Sequence, residues 1–270
     1  MTVVKLAFSP CPNDTFIFDA MVHQKVDTEG VEFDFEMADV EALNHLAING
    51  QADMCKVSWH AFLYLQSQYV MLDSGSALGF GNGPLIISKE KYTLEDLEGL
   101  TVAIPGEFTT AHLLLKIAAP RILKKKFMIF SQIEDAVLSR TVDAGVIIHE
   151  NRFTYEKKGL RKVADLGEYW ENQMHSPVPL GGIIVKKSAG REMIEKLNRI
   201  MRRSVEFAIQ YPESVMDFVR ENAQEMDVAV MKKHIALYVN KFTVELGREG
   251  KEAINKLTDA AKGIVLPLQA

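Results

Sequence analysis

Residues 3–22, VVKLAFSPCPNDTFIFDAMV, decide the fold. Val3 to Phe8 is a short, mostly apolar run of strand length, Ser9-Pro10-Cys11-Pro12-Asn13-Asp14 is a breaker-rich loop, and Thr15 to Val22 carries apolar residues at helical spacing. The unit is strand, loop, helix, and it recurs. Thr101 to Ile104 is a second strand, Pro105-Gly106-Glu107-Phe108 its loop, and a helix beginning near Thr109 or Thr110 carries Leu113, Leu114, Leu115 and Ile117. Between them, Val31 to Met37 alternates like a half-exposed strand and Val40 to Asn49 is helical. Ala52 to Val57 is a strand whose successor, Ser58, stands where it can cap the helix Trp59 to Leu65. Strands alternating with helices predict an α/β protein with a largely parallel sheet.

Farther along, Leu85 to Ser88, Met128 to Ser131 and Ala144 to Ile148 read as strands and Ile133 to Ser139 as a helix. Gly79 to Pro84, leading into the strand Leu85 to Ser88 and the charged segment Lys89 to Glu98, reads as a crossing between lobes, and Pro177 to Gly182, followed by a strand over Ile183 to Lys186, as the return crossing. Arg191 to Lys262 is helical by periodicity, broken at Tyr211-Pro212 and Gly247. The layout predicts a two-lobed fold with a central cleft. Residues 1–88 begin lobe 1, 89–182 form lobe 2, and 183–270 return to lobe 1 as a helical tail; a single doubly wound sheet is the alternative.

Composition narrows the function. Of 270 residues, 31 are basic and 36 acidic, a net charge of -5, so no general basic field exists to hold nucleic acid. The run Lys124-Lys125-Lys126 is read as a solvated helix end or turn. Two cysteines, Cys11 and Cys55, are too few for a disulfide framework and fit a reducing compartment. The start of the chain shows no export signal and no apolar run reaches membrane length, so a soluble cytoplasmic protein is expected. The seven histidines and two cysteines lack metal-site spacing, and Gly79-Phe80-Gly81-Asn82-Gly83 lacks the lysine and the spacing of phosphate loops. No metal and no nucleotide cofactor are therefore expected.

Ligands of open α/β sheets lie beyond the carboxyl ends of strands, where helix N-termini favour anions. That rule selects Ser9 to Thr15, Lys56 to Trp59, Pro105 to Ala111 and Ile148 to Arg152, with Asn13 or Asp14, Ser58, and Thr109 or Thr110 as candidate caps. A small anionic substrate fits such a cleft. Capping alone explains each residue as well; the recurrence at corresponding junctions favours a binding role. His149, at the end of a strand, is the candidate general base, since imidazole exchanges a proton near neutral pH. The competing reading is a structural histidine. Glu150 and Arg152 read as a surface pair, and Cys11 as a small packing residue.

At these same loops the sequence resembles the 1,4-dihydroxy-6-naphthoate synthases of the futalosine route to menaquinone. The resemblance is carried by Ser9-Pro10-Cys11-Pro12-Asn13-Asp14-Thr15-Phe16, Lys56-Val57-Ser58, Leu78 to Pro84, Ile104-Pro105-Gly106 with Thr109-Thr110-Ala111, Asp143 to Glu150, Asp165 to Trp170, and Pro177 to Gly182. It implies a fold like the type II periplasmic binding proteins and a carbon–carbon lyase acting on cyclic dehypoxanthinyl futalosine. It implies further that His149 is the catalytic base and that Lys56, Val57, Ser58, Thr110 and Ala111 contact substrate; Asn13 and Asp14, in the first selected loop, are expected to bind substrate as well. The alternatives are a chorismate dehydratase of the same pathway and a non-catalytic solute-binding or sensor domain.

Overall fold

The computed structural model describes residues 2–223 and 227–264. In chain order the elements are β1 (Thr2–Phe8), α1 (Pro12–Val22), β2 (Val31–Met37), α2 (Val40–Ile48), β3 (Met54–Ser58), α3 (Trp59–Leu65), β4 (Tyr69–Met71), β5 (Ala77–Gly79) and β6 (Leu85–Ser88). There follow β7 (Val102–Ile104), α4 (Thr110–Ala118), β8 (Lys125–Phe127), α5 (Ile133–Leu138), β9 (Ala144–Ile147), β10 (Arg161–Asp165), α6 (Leu166–Met174) and β11 (Val178–Lys186). The tail is α7 (Arg191–Gln210), α8 (Met216–Asn222), α9 (Val228–Tyr238), α10 (Lys241–Val244) and α11 (Gly247–Ala261).

The strands form two sheets. The first has the order β2-β1-β3-β11-β4, with β5 also paired to β11; the second runs β10-β6-β9-β7-β8. Each sheet is covered on both faces, which is why their central strands carry so little polarity. α1, α7, α8 and α9 pack Phe16, Ile17, Met201, Val205, Val219 and Met231 against one face of the first sheet. Leu43, Ala47, Ala61 and Leu65 of α2 and α3 cover the other. In the second lobe, Leu113 and Leu115 of α4 and Trp170 of α6 lie on one side of the sheet, and Ile133 and Val137 of α5 on the other.

Several expectations need correction. The sheets are mixed: β1, β2 and β3 are parallel, as are β7, β8 and β9, but β11 runs antiparallel to β3 and β6 antiparallel to β9. β6 arrives directly from β5 through residues 80–84, without the helical crossover that a parallel connection requires. Leu85–Ser88 therefore belongs to the second sheet, and the crossing precedes it. Gly83 makes that crossing compact, since a Cβ there would lie 2.3 Å from the Gly167 Cα. Residues 178–182, expected as a crossing, are already strand and open β11 in the first sheet.

The expected strand at 128–131 is a 3-10 turn at Phe130–Gln132, and the strand lies just before it, at β8. Lys125 and Lys126 of the basic run therefore belong to a charged edge strand and not to a helix end or turn. The tail is shared between lobes: α7 to α9 return to the first core, whereas Leu257 and Ala261 of α11 join the core of α4 and α6. Residues 224–226 and 265–270 of the expected tail lie outside the described residues. Among the described residues no helix is long and apolar enough to cross a membrane.

Candidate active site

The four selected junctions converge on one cleft between the sheets. Asn13, Asp14, Lys56, Val57, Ser58, Thr110, Ala111 and His149 all line it. Asn82 and Pro84 from the first crossing, Leu180 and Gly181 from β11 and Tyr238 from α9 also form its walls; the first four lie in segments that the sequence marked as crossings, and none of the five was expected in the site. Glycine pairs and isolated residues in strands or helices give no local signal that they will face a ligand.

Asp14 is the electrostatic centre of the first-lobe wall. It is not a helix cap: α1 begins at Pro12, Cys11 holds the cap position, and Asp14 lies in the first turn. It is 2% exposed, and its carboxylate accepts from the Ser9 hydroxyl at 2.7 Å, from Asn13 Nδ2 at 2.9 Å and from Lys56 Nζ. Asn13, also not a cap, has its amide oxygen 2.8 Å from His234 Nε2. Because Asn13 gives its amide hydrogens to Asp14, its oxygen accepts and His234 carries a proton on Nε2. Lys56, 7% exposed in the middle of β3, is thus a buried cation whose charge is balanced by one carboxylate.

Ser58 occupies the cap position of α3, but its side chain caps nothing: Asn44 Oδ1 accepts from the Ser58 backbone at 2.9 Å, and Asn44 Nδ2 lies 3.3 Å from its hydroxyl. Thr109 does cap α4, accepting from the His112 N–H at 3.2 Å. Thr110 and Ala111 open that helix, where first-turn N–H groups have no carbonyl of their own helix to meet. The Thr110 hydroxyl donates to the Leu180 carbonyl at 2.7 Å, so it joins α4 of the second lobe to β11 of the first. Phe108, from the loop after β7, enters the first-lobe core beside Leu43 and Ala61, and its N–H donates to the Glu41 carboxylate at 3.0 and 3.2 Å.

His149 follows β9 with a backbone φ of +58°, a left-handed conformation that is costly for a residue with a Cβ and concentrates at functional positions. Its ring lies edge-on to Phe130 at 5.0 Å and near-parallel to His234 at 6.1 Å, and its buried Nε2 has no hydrogen-bond partner. Burial, aided by the Lys56 charge and opposed by Asp14 and Asp39, pushes its pKa down to about 4. The expectation of an ordinary imidazole half-neutral near 6.5 is therefore revised: the folded cleft holds His149 neutral well below pH 6.5. His234, wholly buried on α9, is likewise held well below the usual histidine range by burial and by His149 and Lys56.

Glu150 and Arg152 are not a surface pair. Glu150 is 5% exposed with Oε2 3.8 Å from His234 Nδ1, while Arg152 donates to the Gly83 carbonyl at 2.7 Å and meets Asp165 at 3.5 Å. Among the described residues one group could hold a metal: ligand atoms of Cys11, His149 and Glu150 lie within 4.8 Å of one another. Cys11 is remote in sequence from the other two, which is why no spacing motif marks it.

Both the fold and the sequence are similar to those of known proteins. The structure is similar, at 13% identity and a TM-score of 0.70, to a Candida albicans protein described as having the generic periplasmic binding protein fold, covering 100% of this chain and 92% of that one. An Archaeoglobus fulgidus protein of known structure is 35% identical with a TM-score of 0.92, covering 97% and 98% of the two chains. The 1,4-dihydroxy-6-naphthoate synthase of Thermus thermophilus is 41% identical over 99% of this chain and 97% of its own. That of Streptomyces coelicolor is 43% identical over 97% and 94%. The fold is thus the two-lobed one of periplasmic binding proteins. Residues 4–263 match the family described as menaquinone biosynthesis, and the chain belongs to that family.

Proposed function

We propose that this enzyme is a 1,4-dihydroxy-6-naphthoate synthase, a carbon–carbon lyase that converts cyclic dehypoxanthinyl futalosine on the way to menaquinone. The observation that carries the reading is His149: a neutral imidazole in a left-handed backbone position on a cleft wall, its Nε2 without a partner. The identity to two synthases of that name supplies the substrate. The two sheets act as lobes, with residues 80–84 and the segment before β11 as their crossings.

In this reading the substrate carboxylate is held by Lys56 and by the first-turn N–H groups of α4 at Thr110 and Ala111, while Val57 and Ser58 shape the adjoining wall. Asn13 and Asp14 keep Lys56 in place. His149 accepts a proton from the substrate; the electron pair left behind breaks the carbon–carbon bond, and the aromatic ring gained helps drive the cleavage. Closure of the lobes excludes water during that step. The chemistry proposed uses no metal or nucleotide. Both cysteines are free thiols, which fits a cytoplasmic enzyme.

Mass-spectrometric analysis of purified protein incubated with the cyclic futalosine derivative tests the proposal. The dihydroxynaphthoate product is expected. Ligand returned unchanged, or chorismate consumed in its place, would overturn it.

A further inference from the structure

Where the lobes meet behind His149, three side chains of different chemistry approach one another. Cys11 stands at the head of α1 in the first lobe; His149 and Glu150 follow β9 in the second. Their sulfur, nitrogen and oxygen ligand atoms lie within 4.8 Å of one another, and Cys11 and Glu150 are each 5% exposed. Thiolate, imidazole and carboxylate are the ligands of zinc, with Zn–S about 2.3 Å and the others about 2.0–2.2 Å. Tetrahedral coordination at those lengths puts ligand atoms roughly 3.3–3.8 Å apart, so each side chain has to move by about an ångström or less.

A second observation points to the same place. The buried Nε2 of His149 and Nδ1 of His234 have no hydrogen-bond partner, an expensive state for a polar atom. On His234 the proton is fixed on Nε2 by Asn13, so Nδ1 presents a bare lone pair, 3.8 Å from Glu150 Oε2.

We infer that Cys11, His149 and Glu150 form a binding site for a borderline-soft divalent cation, zinc, and that zinc there inhibits the enzyme. The fourth ligand is water or, after a small shift, His234 Nδ1. Inhibition follows because the imidazole that would take the substrate proton is engaged by the metal, and because the ion ties α1 of the first lobe to the turn after β9 of the second. That half rests on His149 being the base; metal binding itself does not. Binding releases the Cys11 thiol proton to solvent and leaves thiolate on the metal.

Cobalt(II), which reports thiolate ligation by a near-ultraviolet charge-transfer band, is the probe. Chelator-washed protein titrated with cobalt should develop that band to a plateau at one ion per chain. Zinc should abolish it, with release of a proton on binding, and the same zinc titration should inhibit turnover. Cys11→Ser should lose the band, and its zinc inhibition, measured against its own activity, should weaken by roughly tenfold or more. Glu150→Gln should keep the band and bind less tightly. A folded Cys11→Ser variant inhibited as before would overturn the site, as would a stoichiometric cobalt complex without the thiolate band. Zinc that raised turnover would overturn the inhibitory role. If Cys11→Ser does not fold, the band and the proton release in the unaltered protein decide. If the chain turns over no futalosine derivative, the cobalt titration still decides whether the site exists.

Discussion

At the scale of single residues, His149 concentrates what the site requires. Its positive φ, its bare Nε2 and its depressed pKa are each costly to a fold and each useful to a base. Replacement by Asn should leave ligand affinity nearly intact and lower turnover by roughly 10²–10⁴-fold. Asn also tolerates the left-handed backbone, so the variant should fold. In the unaltered enzyme the acid limb of kcat/KM should fall near pH 4, the value burial imposes, and that limb should vanish in the variant. A melting temperature lowered with activity unchanged would make His149 structural. Thr110→Val is a different case. The hydroxyl donates to the Leu180 carbonyl, so the substitution strands a half-buried acceptor at the contact between lobes. A loss of about 1–2 kcal/mol of stability and a raised KM are expected, measured by thermal unfolding and steady-state kinetics on the same preparation.

At the scale of elements, legibility in the sequence followed length and patterning. β2 and α3 were readable with their observed bounds because alternation in one and a helical apolar pattern in the other are local properties. β4, β5 and β8 have three residues each, and what makes them strands is the partner beside them, which no window of sequence contains. The same holds in the site. The junction loops were legible because strand-to-helix turns have characteristic residues; His234 and Tyr238 were not, since on α9 they read as ordinary core positions. The loop after β7 shows how two elements of different lobes depend on each other. Gly106 packs so closely that a Cβ there would lie 2.4 Å from the Glu41 carboxyl carbon, and Glu41 in turn accepts from the Phe108 N–H. Gly106→Ala should displace Glu41, loosen Phe108 from the first-lobe core and raise KM more than it lowers kcat, at a cost of about 1–3 kcal/mol in stability. Unchanged KM with unchanged stability would show that this contact does not hold the lobes.

For the molecule as a whole, the buried histidines set how the fold answers acid. His60 is pushed down to about 3, and His112 and His149 to about 4, in each case chiefly by burial; His234 is driven down for the same reason. In the unfolded chain each returns to about 6.5. Between those values the unfolded state binds protons that the folded state refuses. Stability therefore rises with pH through this window, is fully present above about pH 6.5, and is lost progressively as pH falls toward the folded values. The two lobes share the burden: His60 and His112 sit at the contact of α3 and α4, with rings 6.1 Å apart, and His149 and His234 line the seam where α9 meets the turn after β9. Acid should thus act on the contacts between lobes before it reaches the sheets. The slope of unfolding free energy against pH between 5 and 6 should correspond to uptake of roughly three to four protons by the four histidines. Denaturant unfolding at half-unit pH steps measures that slope directly. His112→Gln should reduce it by about one proton, and a flat profile from pH 7 to 5 would mean that these imidazoles are not held neutral in the folded protein.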